Sequence, residues 1–165
     1  MSSVEFKDYS MNVKAEINDT TIAWLYEWAN EITSHAQRNC KMDDRGQLRG
    51  SYTNEVNEGK GEAQIGTPLE AGYWEEFGTG EYAAHGDGRK GWWVYVKGQA
   101  SKGGGKTYYS QAEAEDAAKY LRSKGLDAIA TNGRKPNYTL QKAYTVNRSK
   151  AVADLEKKLR EQMDK

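Results

Sequence analysis

The chain of 165 residues is poor in the residues that most often carry chemistry, with one cysteine and two histidines. Cys40 alone cannot close an internal disulfide. With His35 and His85 it supplies no His/Cys cluster of the kind that holds zinc. The chain also lacks net charge, since 24 Lys+Arg balance 24 Asp+Glu. It therefore has no standing excess of cations to neutralise phosphates along a nucleic acid or a membrane surface, although a local patch is not excluded. No stretch approaches the ~20 apolar residues of a membrane span. The opening MSSVEFKDYS has no basic start followed by an apolar run, so no signal peptide and a soluble protein are expected. There is no internal repeat. The length fits one domain, 1–165, because a chain near 150 residues can bury about two thirds of the surface it exposes when unfolded.

The zero balance hides a polarity. Residues 1–42 carry 4 positive and 6 negative charges, 43–88 carry 3 and 10, 89–150 carry 13 and 4, and 151–165 carry 4 and 4. An acidic middle thus precedes a basic second half. Either the two attract each other between copies, head to tail, which generates rings or filaments, or they lie side by side within one fold and neutralise each other.

What is present is a mixed pattern of helix and strand. Ile22, Leu25, Tyr26, Ala29, Ile32, Thr33 and Ala36 recur at helical spacing, with Asn18, Asp19 and Thr20 as caps and a start as early as Met11 allowed by MNVKAEIN. Trp24 and Trp28 add an adjoining stripe, so this helix is either buried on two sides or meets a partner. KMDDRGQLRG at 41–50 reads as a loop, and SYTNEV with GEAQIG as a hairpin. PLEAGYWEEFGTG reads as one or two helical turns opened by Pro68 and ended by glycine. EYAAHGDGRKG is a loop, WWVYV the best strand, and QASKGGGK a surface loop. Ser110 and Glu113 form the capping box S-x-x-E of a short helix faced by Ala114, Ala117, Ala118 and Leu121 and ended by Gly125. LDAIAT is a short strand and TNGRKPNY a turn-rich connection. Leu140, Ala143, Tyr144, Ala151, Val152, Leu155, Leu159 and Met163 mark a long C-terminal helix capped by Thr139, with Asp154–Lys158, Glu156–Arg160 and Lys157–Glu161 as surface pairs. The expected class is α+β: a small antiparallel sheet packed by a long N-terminal helix, a short middle helix and a long C-terminal helix.

No catalytic set follows from these residues, and no cofactor or metal is expected. GGGKT at 103–107 fails the phosphate-loop pattern because position 100 is alanine where glycine is required. Glu81 with His85 supplies an acid and a base, but no nucleophile, oxyanion donor or metal completes a site. Adjacent Glu75 and Glu76 read as solvated or interface charges, and Cys40 as an ordinary thiol. The five Trp and eleven Tyr rank as core first, protein interface second and nucleic-acid platform third.

Three segments in order carry a resemblance: RGQLRGSYTNEV at 45–56, YWEEFGTGEY at 73–82 with GWWVYV at 91–96, and TNGRKPNYTLQKAY at 131–144. Together they resemble the HK97 gp10-like family of tailed-phage neck proteins, also called tail-completion or head–tail joining proteins. The matching positions are Gly46, Leu48, Arg49 and Ser51; Tyr73, Glu76, Phe77, Gly78, Thr79 and Gly80; and Gly133, Pro136, Leu140 and Ala143. The chain departs from the family before the first segment, where Lys41 to Arg45 replace a Pro-Val-Asp-Thr run, and 101–130 looks like an elaboration. The resemblance implies a non-enzymatic virion protein of a long-tailed phage or prophage, forming a homo-oligomeric ring, usually of six copies. The ring would sit in the neck between a head-completion or connector protein and a tail terminator or tail tube protein, with viral DNA passing through its lumen and no membrane involved. Its place would be the virion, and the host cytoplasm during assembly. The first helix and the central sheet would build the ring wall. Gly78 and Gly80 would form a tight turn that fixes Phe77 inward and Glu76 toward a neighbour, or would serve the monomer fold alone. Arg49 suits a carboxylate across a subunit boundary or within the chain. Charge reversal of Arg49 or Glu76 would then weaken assembly and leave folding intact. The rival function is a nucleic-acid-binding module using the basic segment 97–150.

Overall fold

The computed structural model describes residues 19–41, 46–98 and 105–163. Asn18, the early start near Met11, residues 42–45 and most of the glycine loop, with the first two residues of GGGKT, lie outside them. The described chain is α+β, with five helices and six strands. It gathers into two compact units, residues 1–76 with 137–165 and residues 77–136, a finer division than one domain 1–165. The antiparallel strands form three two-stranded pairs rather than one sheet.

The first unit contains α1 (Asp19–Asn39), α2 (Gln47–Ser51), β1 (Thr53–Asn57), β2 (Glu62–Gly66), all but the last residue of α3 (Glu70–Phe77) and the C-terminal helix, Thr139–Met163. The apolar spacing of α1 does what periodicity predicts, since Leu25, Ala29, Ile32 and Ala36 are each at most 1% exposed. Each such leucine or isoleucine contributes about 1.5–3 kcal/mol by leaving water. Tyr26 departs from the expected face. It is 43% exposed and donates from its hydroxyl to Glu58 at 3.0 Å, which holds its pKa above the usual phenol range.

The tryptophan stripe is explained by burial on two sides. One side of α1 meets the hairpin, where Ala63 and Ile65 turn inward and Asn54 donates to Asn30 and Thr33 of the helix. On the other lies the C-terminal helix: Trp24 donates its indole N–H to the carbonyl of Ala151 at 2.9 Å, and Trp28 donates to Asp154 at 3.0 Å. Asn147 joins His35 across the same seam at 2.8 Å. The hairpin is in the expected place, with Thr53 opposite Gly66 and Asn57 opposite Glu62. The loop expected over 41–50 is in part a helix: 47–51 form the single turn α2, which drives Leu48 to 3% exposure in the core. Cys40, expected in a polar segment, is also part of that core.

The second unit contains β3 (Thr79–Gly80), β4 (Trp93–Val96), α4 (Gln111–Ser123), β5 (Ala128–Thr131) and β6 (Gly133–Arg134). Strand β4 pairs with β5, Trp93 opposite Thr131 and Val96 opposite Ala128. Ala114 and Ala118 of α4 are fully buried, and α4 packs on this pair. At the start of α4, Ser110 accepts from the Glu113 N–H at 3.2 Å as the capping box requires, but the Glu113 carboxylate accepts from Tyr109 rather than from Ser110. Its end is a Schellman turn: Gly125 at φ +82 donates to Arg122, and Leu126 donates to Leu121. TNGRKPNY, expected as turns alone, contributes strand β6, which pairs with β3. We call the helix Thr139–Met163 α5.

Candidate functional site

Most of the residues that carry the resemblance lie around two short stretches of backbone, one in each unit, and the chain passes between units at 76–77 and at 136–137. In the first unit the end of α3 meets the start of α5. Both Glu75 and Glu76 are fully buried, which overturns their reading as solvated or interface charges. Glu76 does not face a neighbour. Its carboxylate accepts from the backbone N–H of Leu140 at 2.8 Å and of Gln141 at 3.0 Å. It therefore occupies the place of an N-cap, where free N–H groups and the positive end of the helix dipole favour an anion. Thr139, expected as that cap, is the first residue of the helix, and its hydroxyl donates to Glu75 at 3.2 Å. Residue 138 precedes the helix at φ +52, its N–H bonded to the Glu76 carbonyl and its carbonyl to the N–H of Lys142.

Glu75 completes the arrangement from the other side. One of its oxygens accepts from the Lys41 N–H at 2.7 Å and from Asn137 at 2.8 Å, and Asn137 also reaches the carbonyl of Asn39 at 2.9 Å. Asn137 was missed by sequence reasoning, and nothing in the local pattern singles it out. Tyr52 lies near this cluster at 2% exposure. Burial first, and then the Cys40 thiol and the two carboxylates, push its phenol well above the ordinary range.

In the second unit the glycine turn has the expected tight geometry for a definite reason. Gly80 lies opposite Gly133 in the β3–β6 pair, at φ +62 and φ +128. A Cβ on Gly80 would stand 2.2 Å from the carbonyl oxygen of Asn132, and one on Gly133 would stand 2.1 Å from that of Thr79. Two backbones approach here more closely than side chains permit. Thr79 fixes the register by accepting from the Arg134 N–H at 3.0 Å, and Pro136 lies under Gly78. Phe77 is half-buried and packs against His85, with ring centroids 4.8 Å apart.

The first segment is placed differently. Gly46 at φ +77 precedes α2 in open space, Leu48 is in the core, and Ser51 bonds Thr67 at 2.6 Å. Arg49 is exposed, and Tyr73 is half-buried. Leu140 and Ala143 are core residues of α5.

The arrangement offers structural anchoring rather than an assembled reaction centre. Glu81 accepts from the Gly91 N–H and from Asn132, while His85 is against Phe77, so the two are engaged separately. Among the described residues no group of three or more His, Cys, Asp or Glu side chains is placed to hold a metal. No described helix is long and apolar enough to cross a membrane. A scan against protein-family models finds no match, and neither curated proteins nor solved structures match the chain.

Proposed function

We propose that this protein is a tail-completion, or head–tail joining, protein of a long-tailed phage or prophage, and that it forms an oligomeric ring, of six copies, in the neck. The observation that carries the reading is the role of the residues behind the resemblance to the HK97 gp10-like family. Gly78, Thr79 and Gly80 of the second segment lie against Gly133 and Pro136 of the third, and Glu76 caps the helix that the third segment opens. The motif is therefore a set of mutually dependent positions, as a shared fold requires, rather than scattered matches. Exposed Arg49 remains a candidate for the subunit boundary. Glu76 does not, and the glycine turn is accounted for by the fold of one chain.

The test is electron microscopy of particles from producing cells, with a tag on this protein, beside a deletion of its gene. Label at the neck, with separate heads and tails in the deletion, is the expected result. Normally joined particles in the deletion would reduce the resemblance to one of fold.

A further inference from the structure

In residues 77–136 the carboxylates with assigned bonds are held by the unit itself. Glu81 binds Gly91 and Asn132, Glu113 binds the Tyr109 N–H, Glu115 binds Arg122, Asp116 binds Lys119 and Asp127 binds Lys97. Arg89, Lys90, Lys106, Lys124 and Lys135 have no carboxylate partner among the described residues. Four of these five cations stand over a ring instead: Arg89 over Trp93 at 5.1 Å, Lys106 over Tyr108 at 5.0 Å, Lys124 over Tyr120 at 5.5 Å and Lys135 over Tyr82 at 5.8 Å. Such pairs occur about once per 70–80 residues, so this unit is several-fold enriched in them.

Two of the pairs share one corner. Trp92 and Tyr108 exchange backbone hydrogen bonds of 3.1 and 2.7 Å, which joins 89–93 to 105–109. Arg89 reinforces the join by donating from Nη2 to the Thr107 hydroxyl at 2.8 Å and to the Gly105 carbonyl. Next to it stands Tyr109, 97% exposed, its backbone N–H held by Glu113 at the capped start of α4. A ring left in water on a fixed backbone, beside cations with no competing carboxylate, is a stacking platform with phosphate partners at its edge.

We propose that this corner, made of Arg89, Lys90, Trp93, Lys106, Tyr108 and Tyr109, binds single-stranded nucleic acid. A base stacks on Tyr109, and neighbouring phosphates meet Lys90, Lys106 and Arg89. An acidic protein surface would satisfy the cations but leave the tyrosine face unused, and a duplex would keep its base faces hidden. The proposal is independent of the neck reading.

Fluorescence anisotropy of a labelled oligo-dT of about 20 nucleotides, titrated with the full chain across a salt series, tests it. Three cations at about −0.7 each give an expected slope of log affinity on log salt of about −2, and Lys106→Gln should flatten it by about 0.7. Tyr109→Ala should weaken binding about 5-fold or more while Tyr109→Phe preserves it, because stacking is worth ≈1–3 kcal/mol per base. The 97% exposure of Tyr109 means that both variants should melt as the parent does. Equal affinity for a duplex of the same length, equal competition by polyglutamate, absence of binding, or a Tyr109→Ala variant that binds like the parent would each overturn the proposal.

Discussion

Glu76 is one carboxylate doing what the first residues of α5 cannot do for themselves. The helix opens Thr139-Leu140-Gln141-Lys142, with no acid three residues after a Ser or Thr, so its free N–H groups need an outside acceptor. Glu76→Ala leaves two buried N–H groups unsatisfied, and the expected loss is about 2–4 kcal/mol in urea denaturation. A loss below about 0.5 kcal/mol would mean that water replaces the cap. Charge reversal at this position should therefore damage folding itself, contrary to the expectation from an interface role. The glycines allow a sharper comparison. Gly46→Ala meets open space and should lose only the left-handed backbone penalty of about 1–2 kcal/mol. Gly80→Ala meets backbone at 2.2 Å and should lose clearly more, with the β3–β6 pair disrupted; equal melting temperatures for the two would contradict this. The tight turn was legible because glycines at 78 and 80 stand together after Phe77. The burial of Glu75 and Glu76 was not, because a carboxylate pair in sequence looks the same whether water or a helix end receives it.

At the scale of elements, the seam between α1 and α5 combines tryptophan hydrogen bonds with a small ion network. Lys158 bonds Asp154 at 2.7 Å and Glu27 at 2.6 Å. The Lys158 hydrogen bond, and then that of Trp28, hold the Asp154 carboxyl below its ordinary value of 3.8. Asp154, and then Glu27, raise the Lys158 ammonium above 10.5. A depressed carboxylate contributes stability that is present above its unfolded pKa and lost as pH falls through the folded one. A raised ammonium contributes stability that is present below its unfolded pKa and lost as pH rises through the folded one. Asp154→Asn should therefore melt below the parent across the neutral range, and the gap should close as pH falls below 3.8; a gap unchanged at acid pH would assign the effect to packing. The helices, the hairpin and the S-x-x-E cap were legible from periodicity and turn chemistry, which act over neighbouring residues. The β3–β6 pair was not. Two residues on each side carry no alternation to read, and their partner lies more than fifty positions away.

At the scale of the whole molecule, the charge polarity seen along the sequence is reduced in space. The acidic stretch ending at Glu76 and the basic opening of α5 belong to the same unit. The units together hold fourteen basic against eighteen acidic residues in the first and ten against six in the second, nets of −4 and +4. The contrast that suggested head-to-tail attraction is therefore smaller than the linear order implied, and assembly should depend on particular exposed residues. Arg49 is the one to test. In cells lacking the gene, Arg49→Glu supplied in trans should reduce joined particles about tenfold or more, with the purified variant melting as the parent does; full restoration would remove Arg49 from the interface.

The amino-acid sequence by itself determined the class of the fold, the positions of its long helices and its hairpin, and the glycine turn, because periodicity, caps and φ preferences are local properties. Only the tertiary structure decided which residues do the holding: that the tryptophans of α1 close on α5, that Glu75 and Glu76 are anchors rather than surface charges, and that cations of the second unit rest on rings. Those outcomes depend on what each side chain meets across long sequence separations, and desolvation makes the same carboxylate or lysine an anchor or a surface charge according to that partner.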